Sequence, residues 1–303
     1  MQANEYHIPV LLNESIDGLK IDPDGIYVDV TFGGGGHSAA ILQRLENGRL
    51  FAFDQDAEAG ENSLNDERFV LINTNFRFIE SSLKEHGITQ IDGLLADLGV
   101  SSHQFDTPER GFSIRHDERL DMRMDRSGRL TAADVLNGYE EKELKHLFAV
   151  YGEVEHAGKL AAAIGSARKE RPLRHAGELK AIAQRFARKG KENRYFAKVF
   201  QALRIEVNDE LGALEDMLEQ SCRLLKAGGR LVVISYHSLE DRLVKNFMRS
   251  GNAGGKAEKD FFGNRLAPFR EITRKPIVPD ERETERNNRA RSAKLRIAEK
   301  EDT

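Results

Sequence analysis

Two acidic residues follow short apolar runs on either side of a glycine-rich turn and could form a ligand site. The stretch "IYVDVTFGGGGHSAAIL" (26–42) passes from a strand-like segment through Gly33–Gly36 into a helix-like segment. Asp54 ends the next apolar run, "LFAFD", and Asp97 ends a later one, "GLLAD". A glycine turn before a helix exposes backbone N–H groups to a ligand. An acid at this distance after such a turn can accept hydrogen bonds from both hydroxyls of a ribose. The spacing therefore predicts a nucleoside-binding site.

The glycine turn alone leaves several cofactors open. A P-loop requires G-x-x-x-x-G-K-[ST], and no Gly-Lys follows the turn, which excludes that motif. Gly34, Gly36 and Ala39 fit G-x-G-x-x-A, so a nicotinamide or flavin enzyme stays open beside an S-adenosylmethionine (SAM) enzyme. Asp97 favours SAM, because a sulfonium tolerates acidic neighbours and we find no convincing proton relay of a dehydrogenase. A ligand-free tight turn, with Asp97 as a helix cap, is the structural alternative.

The elements that must position these residues alternate in the first hundred residues. Strand-like segments 25–32, 48–54, 68–74 and 91–99 alternate with helix-like segments 37–45, 57–64 and 78–87. This order is typical of a parallel, doubly wound α/β sheet.

The alternation of strand-like and helix-like segments stops after Gly99 and resumes near the end of the chain. Residues 101–128 are polar and without clear periodicity, and several helix-like segments follow. The α/β pattern resumes with a long helix predicted to stop at Gly228-Gly229. The segments after it are a strand at 230–238, a helix at 239–248, a mobile loop at 250–265 and closing strands at 270–278 and 292–300. We therefore expect one α/β domain, split by a helical insertion into segments 1–108, 109–204 and 205–303.

The charge of the chain is unevenly distributed. The whole chain carries a formal charge of −4, yet Lys159–Arg204 contains thirteen Lys/Arg and three acids and so carries +10. A basic segment inside an acidic protein favours a surface that faces a polyanion, and a merely solvated set of helices is the alternative. The candidate residues for contacting the polyanion are Arg168, Lys169, Arg171, Arg185, Arg188, Lys189 and Arg194.

The composition is that of a soluble globular protein, with 39% hydrophobic and 32% charged residues among 303. No apolar run approaches the roughly 20 residues that span a bilayer, and we see no secretory signal. The single cysteine, Cys222, excludes an intramolecular disulfide and a cysteine-rich metal site. We expect a cytoplasmic enzyme with no metal ion and no membrane partner.

Eight motifs in order identify a family resemblance that runs from about His7 to Glu299. They are "HIPVLLNES", "DVTFGGGGHS", "FDQDAEA", "DGLLADLGVSS.Q.D…RGFS", "LDMRMD", "VFQALRIEVNDEL", "AGGRLVVISYHSLEDRLVKNF" and "NNRARSAKLRIAE". Together they closely resemble the ribosomal RNA small subunit methyltransferase H family, also called MraW. The resemblance implies SAM-dependent methylation of the exocyclic N4 of a cytosine in the decoding region of 16S rRNA, within the small ribosomal subunit. It also implies a Rossmann-like class I methyltransferase sheet with an inserted all-helical domain for substrate recognition.

The resemblance also implies which residues contact the cofactor. Gly35, Gly36 and His37 match the loop against SAM, Asp54 the ribose-binding acid and Phe76 a residue beside the adenine; Asp97 and Gln104 match the remaining contacts. One departure is Gly34, where some relatives have arginine; glycine should leave the loop functional but looser.

Several roles stay open at the level of sequence. Asp97 could accept a proton from the amine, contact SAM, or both, and His237 could relay a proton or simply end a strand. Asp121, Arg123 and Asp125 of "LDMRMD" fit a pocket wall or a structural ion-pair cluster. Two other functions also stay open, a nicotinamide-dependent oxidoreductase and a non-catalytic RNA-binding or ribosome-assembly factor. A homodimer is compatible with the sequence.

Overall fold

The computed structural model describes residues 9–256, 258–259, 261–262 and 265–302. The chain forms two compact units, one made of the chain up to Gly99 and from Leu211 onward, the other of Val100–Glu210. The units divide a few residues away from the predicted boundaries at 108 and 204. The assignment of the second unit to substrate recognition stays a prediction.

The first unit contains a seven-stranded sheet in the order β3-β2-β1-β4-β5-β9-β8. Strands β1 to β5 run parallel, whereas β9 is antiparallel to both β5 and β8. A separate pair of short strands, β6 and β7, is antiparallel. The strands are β1 (Ile26–Asp29), β2 (Arg49–Phe53), β3 (Phe69–Ile72), β4 (Ile91–Asp97), β5 (Leu225–Ser235), β6 (Glu258–Lys259), β7 (Arg265–Leu266), β8 (Phe269–Glu271) and β9 (Lys294–Lys300). This order confirms the predicted Rossmann-like, doubly wound sheet.

Helices cover both faces of the sheet and build the second unit. In chain order they are α1 (Leu12–Leu19), α2 (Gly36–Leu42), α3 (Ile79–Glu85), α4 (Ser102–Asp106), α5 (Ala132–Gly138), α6 (Glu141–Val150), α7 (Ala157–Glu170), α8 (Ala176–Ala183), α9 (Glu192–Asn208), α10 (Glu210–Leu224), α11 (Ser238–Ser250) and α12 (Glu281–Arg286). Short 3-10 turns occur at Ala57–Asn62, Phe76–Phe78, Pro108–Arg110, Gln184–Phe186 and Asn288–Ser292. No helix in the described ranges is both long and apolar enough to cross a membrane.

The apolar runs form the central strands because the sheet is buried on both faces. One apolar cluster packs β1, β2 and β4 against α3, α10 and α11, and the other packs the same strands against α1 and α2. Asp29 lies beside Ala52 of β2 and Leu95 of β4. The residues two positions further on, Thr31, Asp54 and Asp97, therefore lie at the carboxyl ends of these parallel strands, on the same side of the sheet.

Four predicted elements differ from the structure. The helix at 57–64 is a 3-10 turn, Ala57–Asn62, and the loop at 250–265 contains the β6–β7 pair, with residues 257, 260, 263 and 264 outside the described residues. Helix α10 ends at Leu224, before Gly228-Gly229, because Leu225 already pairs with Ile91 and the two glycines occupy the irregularity that follows. The strand at 270–278 stops at Glu271, and Ile277 further along forms an isolated antiparallel bridge with Leu295.

The second unit is helical and has its own apolar core. Helices α5 to α9 contribute buried residues at helical spacing, such as Leu144 and Phe148 of α6, and Val199 and Leu203 of α9. Residues 101–128, read as irregular, contain the short helix α4 and one 3-10 turn. The spacing of apolar residues in α9 leaves Arg194 exposed and Lys198 partly exposed on the opposite face.

Candidate functional site

The glycine turn is shaped by two glycines whose side-chain positions are filled. Gly35 has φ +75°, and a Cβ there would lie 2.9 Å from the Phe32 ring; a Cβ on Gly36 would lie 2.2 Å from the Pro9 ring. Gly34 has open space around the corresponding position. The turn therefore requires glycine at positions 35 and 36, and position 34 has room for a side chain.

Asp54 ties the end of β2 to the glycine turn. Its Oδ2 accepts the backbone N–H of Gly33 at 2.8 Å, and its Oδ1 accepts the N–H of Asp56 at 2.8 Å. Burial raises the pKa of Asp54 to about 6, although these hydrogen bonds act to lower it. Each carboxyl oxygen keeps a further lone pair, so Asp54 can also accept hydrogen bonds from a ribose.

Asp97 lies at the end of β4 with each carboxyl oxygen in a different environment. Oδ1 accepts the Tyr236 hydroxyl at 2.7 Å, and Oδ2 lies 3.8 Å from Nδ1 of His37. The backbone N–H of Asp97 donates to Oγ1 of Thr31 at 2.6 Å. The side chain is 23% exposed, yet desolvation by the surrounding protein raises its pKa to about 6. Asp97 is therefore held in place while part of its carboxyl stays accessible.

His37 is a buried, neutral member of this edge. Its ring is 5% exposed, and Nε2 lies 3.2 Å from the carbonyl oxygen of Val10. A carbonyl can only accept a hydrogen bond, so Nε2 carries the proton and Nδ1, facing Asp97, is the unprotonated nitrogen. Burial lowers the pKa of His37, although the charge of Asp97 acts to raise it.

Two residues at this edge were missed by the sequence analysis. Asp29, fully buried at the end of β1, accepts the Ser38 hydroxyl at 2.7 Å and the Thr31 N–H at 3.1 Å. Burial raises the pKa of Asp29. Its position at a strand end was a usable signal. Tyr236 carried no such signal, because only the folded sheet brings its hydroxyl to Asp97.

Phe76 and Gln104, predicted to contact the cofactor, have different local environments. Phe76 starts the 3-10 turn after β3 and packs, partly buried, against apolar core residues. The Asn75 side chain donates to Gln55 at 2.8 Å, which joins this turn to the segment after β2. Gln104 lies in the second unit, 4% exposed, and forms a capping box with Ser101 at the start of α4. Both cofactor contacts stay predictions.

His237 is the N-cap of α11. Its Nδ1 accepts the N–H of Glu240 at 3.3 Å, and Nε2 lies 3.0 Å from Oε1 of the same residue, outside hydrogen-bonding geometry. The other Glu240 oxygen accepts the N–H groups of Tyr236 and His237, at 2.8 and 3.2 Å. This arrangement favours the structural reading of His237, and its catalytic role stays a prediction.

The "LDMRMD" segment forms a local ion pair in the second unit. Arg123 donates through Nε and Nη2 to the two oxygens of Asp121, at 2.8 and 2.7 Å. Burial acts to raise the pKa of Asp121, but the Arg123 guanidinium lowers it overall. Asp125 accepts the N–H of Ser127 at 2.8 Å and closes the turn. These contacts favour the structural alternative.

The predicted RNA-binding residues of the second unit fall into two groups. Arg168 donates to the Leu136 carbonyl at 2.7 Å, and Arg171, 77% exposed, pairs with Glu178 at 2.5 Å, so both have a partner within this unit and their RNA contacts stay predictions. The remaining five are exposed on the surface: Lys169, Arg185, Arg188, Lys189 and Arg194.

The sheet edge suits a cationic, ribose-bearing cofactor. Within the described residues, neither Asp54 nor Asp97 is paired with a lysine or arginine. Two such carboxyls would repel a pyrophosphate, whereas they favour a nearby positive charge such as a sulfonium. Asp54 beside the glycine turn supplies the acceptors for the ribose. These two carboxylates therefore fit SAM better than a dinucleotide.

Comparison with known proteins agrees with this chemistry. The family model described as the MraW methylase family matches residues 4–301. A relative from Cytophaga hutchinsonii, named ribosomal RNA small subunit methyltransferase H, is 58% identical over 298 residues, covering 98% of this chain and 100% of its own. A protein of the same name from Bacteroides thetaiotaomicron is 58% identical, covering 97% of each chain. The solved structure of an rRNA methylase from Streptococcus thermophilus aligns over 98% of this chain and 99% of its own, at 15% identity and a TM-score of 0.42. The family model, which matches nearly the whole chain, and the two relatives at 58% identity show that the chain belongs to the MraW methylase family.

Proposed function

We propose that this methylase transfers a methyl group from SAM to the exocyclic N4 of a cytosine in the decoding region of 16S rRNA. SAM is the methyl donor, and RNA of the small ribosomal subunit is the substrate that the names of the relatives support. The observation that carries the proposal is Asp97, a partly accessible carboxyl with a pKa of about 6 at the carboxyl edge of the sheet. This is where open α/β sheets place their chemistry.

The target amine requires a hydrogen-bond acceptor, because its lone pair is delocalised into the cytosine ring. When bound, SAM supplies an electrophilic methyl group on its sulfonium. Tyr236 holds Oδ1 of Asp97, which leaves Oδ2 to accept a hydrogen bond from the N4 amine and to take the proton released on methylation. A raised pKa makes a carboxylate a stronger base, and general base catalysis of this kind contributes about 10²–10⁴-fold. No covalent intermediate is needed.

The alternative target on cytosine, ring carbon 5, requires a cysteine nucleophile. Cys222 lies on α10 and packs, partly buried, against the apolar core. Burial raises the pKa of its thiol to about 11, so the thiol stays protonated near neutral pH. Thiolates, not thiols, are nucleophilic. The state of the single cysteine thus favours the exocyclic amine.

The second unit supplies the cations for the RNA backbone. Cytosine N4 is reached most readily in a single-stranded or splayed segment. The exposed cations of the second unit would contact the phosphates of that segment, so RNA affinity should fall steeply with salt. The small ribosomal subunit is then the partner, and the cytoplasm is the compartment.

Methyl transfer from labelled SAM to undermethylated small subunits tests the proposal. Digestion of the RNA to nucleosides should yield labelled N4-methylcytidine, and Asp97→Asn serves as the inactive control. Label in 5-methylcytidine would contradict the target atom. Particle binding without incorporation would instead identify a non-catalytic assembly factor, and tighter calorimetric binding of NAD than of SAM would identify an oxidoreductase.

A further inference from the structure

The start of α9 forms a cationic recess in the second unit. It has a volume of about 170 Å³ and presents four cations and one acid beside an aromatic ring. The lining residues are Glu155, Arg188, Lys191, Arg194, Tyr195 and Lys198. Lys191 and Lys198 do not belong to the RNA-binding set predicted from the sequence. The fold therefore brings Lys191 and Lys198 together with Arg188 and Arg194, a grouping that the linear sequence does not show.

The recess is built by a loop that is fixed against α9. The Tyr195 hydroxyl donates to the carbonyl of Glu155 at 2.9 Å, and Nζ of Lys198 donates to the carbonyl of Glu153 at 2.9 Å. A Cβ on Gly152 would lie 2.6 Å from the Lys198 carbonyl oxygen, so the loop approaches the helix backbone closely. Glu153 adopts φ +47°, a conformation that non-glycine residues rarely hold. These contacts preorganise the charges around the recess.

An internal carboxylate already occupies one side of the recess. Nη2 of Arg188 lies 3.1 Å from Oε2 of Glu155, and the two side chains are 71% and 53% exposed. Within the described residues, Lys191 and Arg194 have no acidic partner. The recess thus keeps a formal excess of three positive charges, and its one acid is held only by an exposed ion pair.

We infer that this recess binds a single phosphodiester group of the RNA substrate and that Glu155 gives up Arg188 when the phosphate enters. The inference rests on the proposed function and names a subsite for its substrate. A phosphodiester carries one negative charge on two free oxygens, which suits a guanidinium fork together with lysine point charges. Glu155 shows that an anionic oxygen fits beside Arg188. Its carboxylate then competes with the RNA.

Two matched changes test the subsite by fluorescence anisotropy of a labelled single-stranded oligoribonucleotide over a range of KCl concentrations. Glu155→Gln should tighten binding about twofold to fivefold, the effect expected from releasing an exposed ion pair. The double variant Lys191→Ala/Arg194→Ala should bind more weakly. Its slope of log affinity against log salt should be shallower by about 0.7, the value for one phosphate contact on a single strand.

Lys142→Ala is the matched control, since Lys142 is exposed, pairs with Glu140 in the same unit and does not line the recess. This control should leave the RNA affinity and its salt slope unchanged. Weaker binding by Glu155→Gln, or an unchanged slope in the double variant, would overturn the subsite. Competition by polyglutamate as effective as that of unlabelled RNA would also overturn it, in favour of a protein ligand. Methyl transfer is measured in a separate assay. If the affinity changes are observed but methyl transfer is not, only the proposed function is contradicted.

Discussion

The sheet edge of the first unit and the recess of the second unit both concentrate charge, but they do so in opposite environments. Asp54 and Asp97 are desolvated, and their pKa values rise to about 6. In the recess, Arg188 and Glu155 are more than half exposed. In a desolvated site each charge interacts strongly with its neighbours. Exposed charges interact weakly one by one, because water and salt screen them, so their effect depends on how many are present. Substitutions in the two regions should therefore differ in size and in salt dependence.

The largest expected effect is that of Asp97→Asn on methyl transfer. The amide cannot take the proton of the amine, so kcat should fall by about 10²–10⁴-fold. Asparagine keeps an acceptor for the Tyr236 hydroxyl, so the site should keep its shape. Single-turnover transfer from labelled SAM gives the rate, and calorimetry gives the SAM affinity. A loss of SAM affinity as large as the loss of rate would show that Asp97 acts on the cofactor rather than on the amine.

The same assignment predicts a rising limb in the pH profile of the wild-type enzyme. Asp97 must be ionised to accept a proton, and its pKa is raised to about 6. The rate should therefore increase with pH up to about 6 and then level off. A limb centred near 4 would mean that the carboxyl is not desolvated as the fold implies. Stopped-time assays between pH 4.5 and 8 on intact subunits measure this.

A residue of this site could be predicted from sequence only where its role is marked by the residues next to it in the chain. Asp54 and Asp97 were predictable, because apolar runs mark strand ends and parallel strands end at one edge. Tyr236 was not, because it lies 139 residues from Asp97 in sequence and meets it only through the packing of the sheet. The next residue, His237, was predicted to be catalytic because of its residue type, although its side chain caps a helix.

The glycine turn shows the same limit. Four consecutive glycines predict a turn, but their spacing does not tell which of them are required. The structure distinguishes Gly35 and Gly36 from Gly34 by the space around them: a Cβ would meet the Phe32 ring at Gly35 and the Pro9 ring at Gly36, but nothing at Gly34, and glycine spacing does not show this. Element boundaries failed for a similar reason, since the end of α10 depends on pairing of Leu225 with Ile91.

Asp54→Ala should come next in size, acting on cofactor binding. Loss of hydrogen bonds to a charged group costs about 1.5–3 kcal/mol, which corresponds to roughly 10- to 150-fold weaker SAM binding. Glu67→Ala removes an exposed acid from the same unit and serves as the control. Calorimetric titration measures both. An unchanged SAM affinity in Asp54→Ala would contradict the assignment of the ribose acid.

Removal of cations from the second unit should weaken RNA binding by a smaller, salt-dependent amount. The triple variant Arg185→Ala/Arg188→Ala/Lys189→Ala should bind an oligoribonucleotide roughly tenfold more weakly at low salt, with a salt slope shallower by up to about 2. SAM affinity should not change, because these side chains belong to the other unit. Anisotropy and calorimetry on one preparation separate the two ligands. Equal losses for RNA and SAM would indicate a folding defect.

A last effect, the one that contrasts the regions most directly, is on stability. The folded state holds a proton on Asp97 up to about pH 6, and the unfolded state only up to about 4. The folded state thus binds more protons between these values, so this carboxyl lowers the free energy of unfolding as pH rises. Asp97→Asn should therefore be more stable than wild type by about 1–3 kcal/mol at pH 7.5, and by almost nothing at pH 4.

Lys169→Ala, an exposed change in the second unit, should stay within about 0.5 kcal/mol at every pH. Urea titrations at pH 4, 6 and 7.5 measure both differences, and a pH-independent gain for Asp97→Asn would mean that repacking, rather than the relief of a desolvated charge, stabilises the variant.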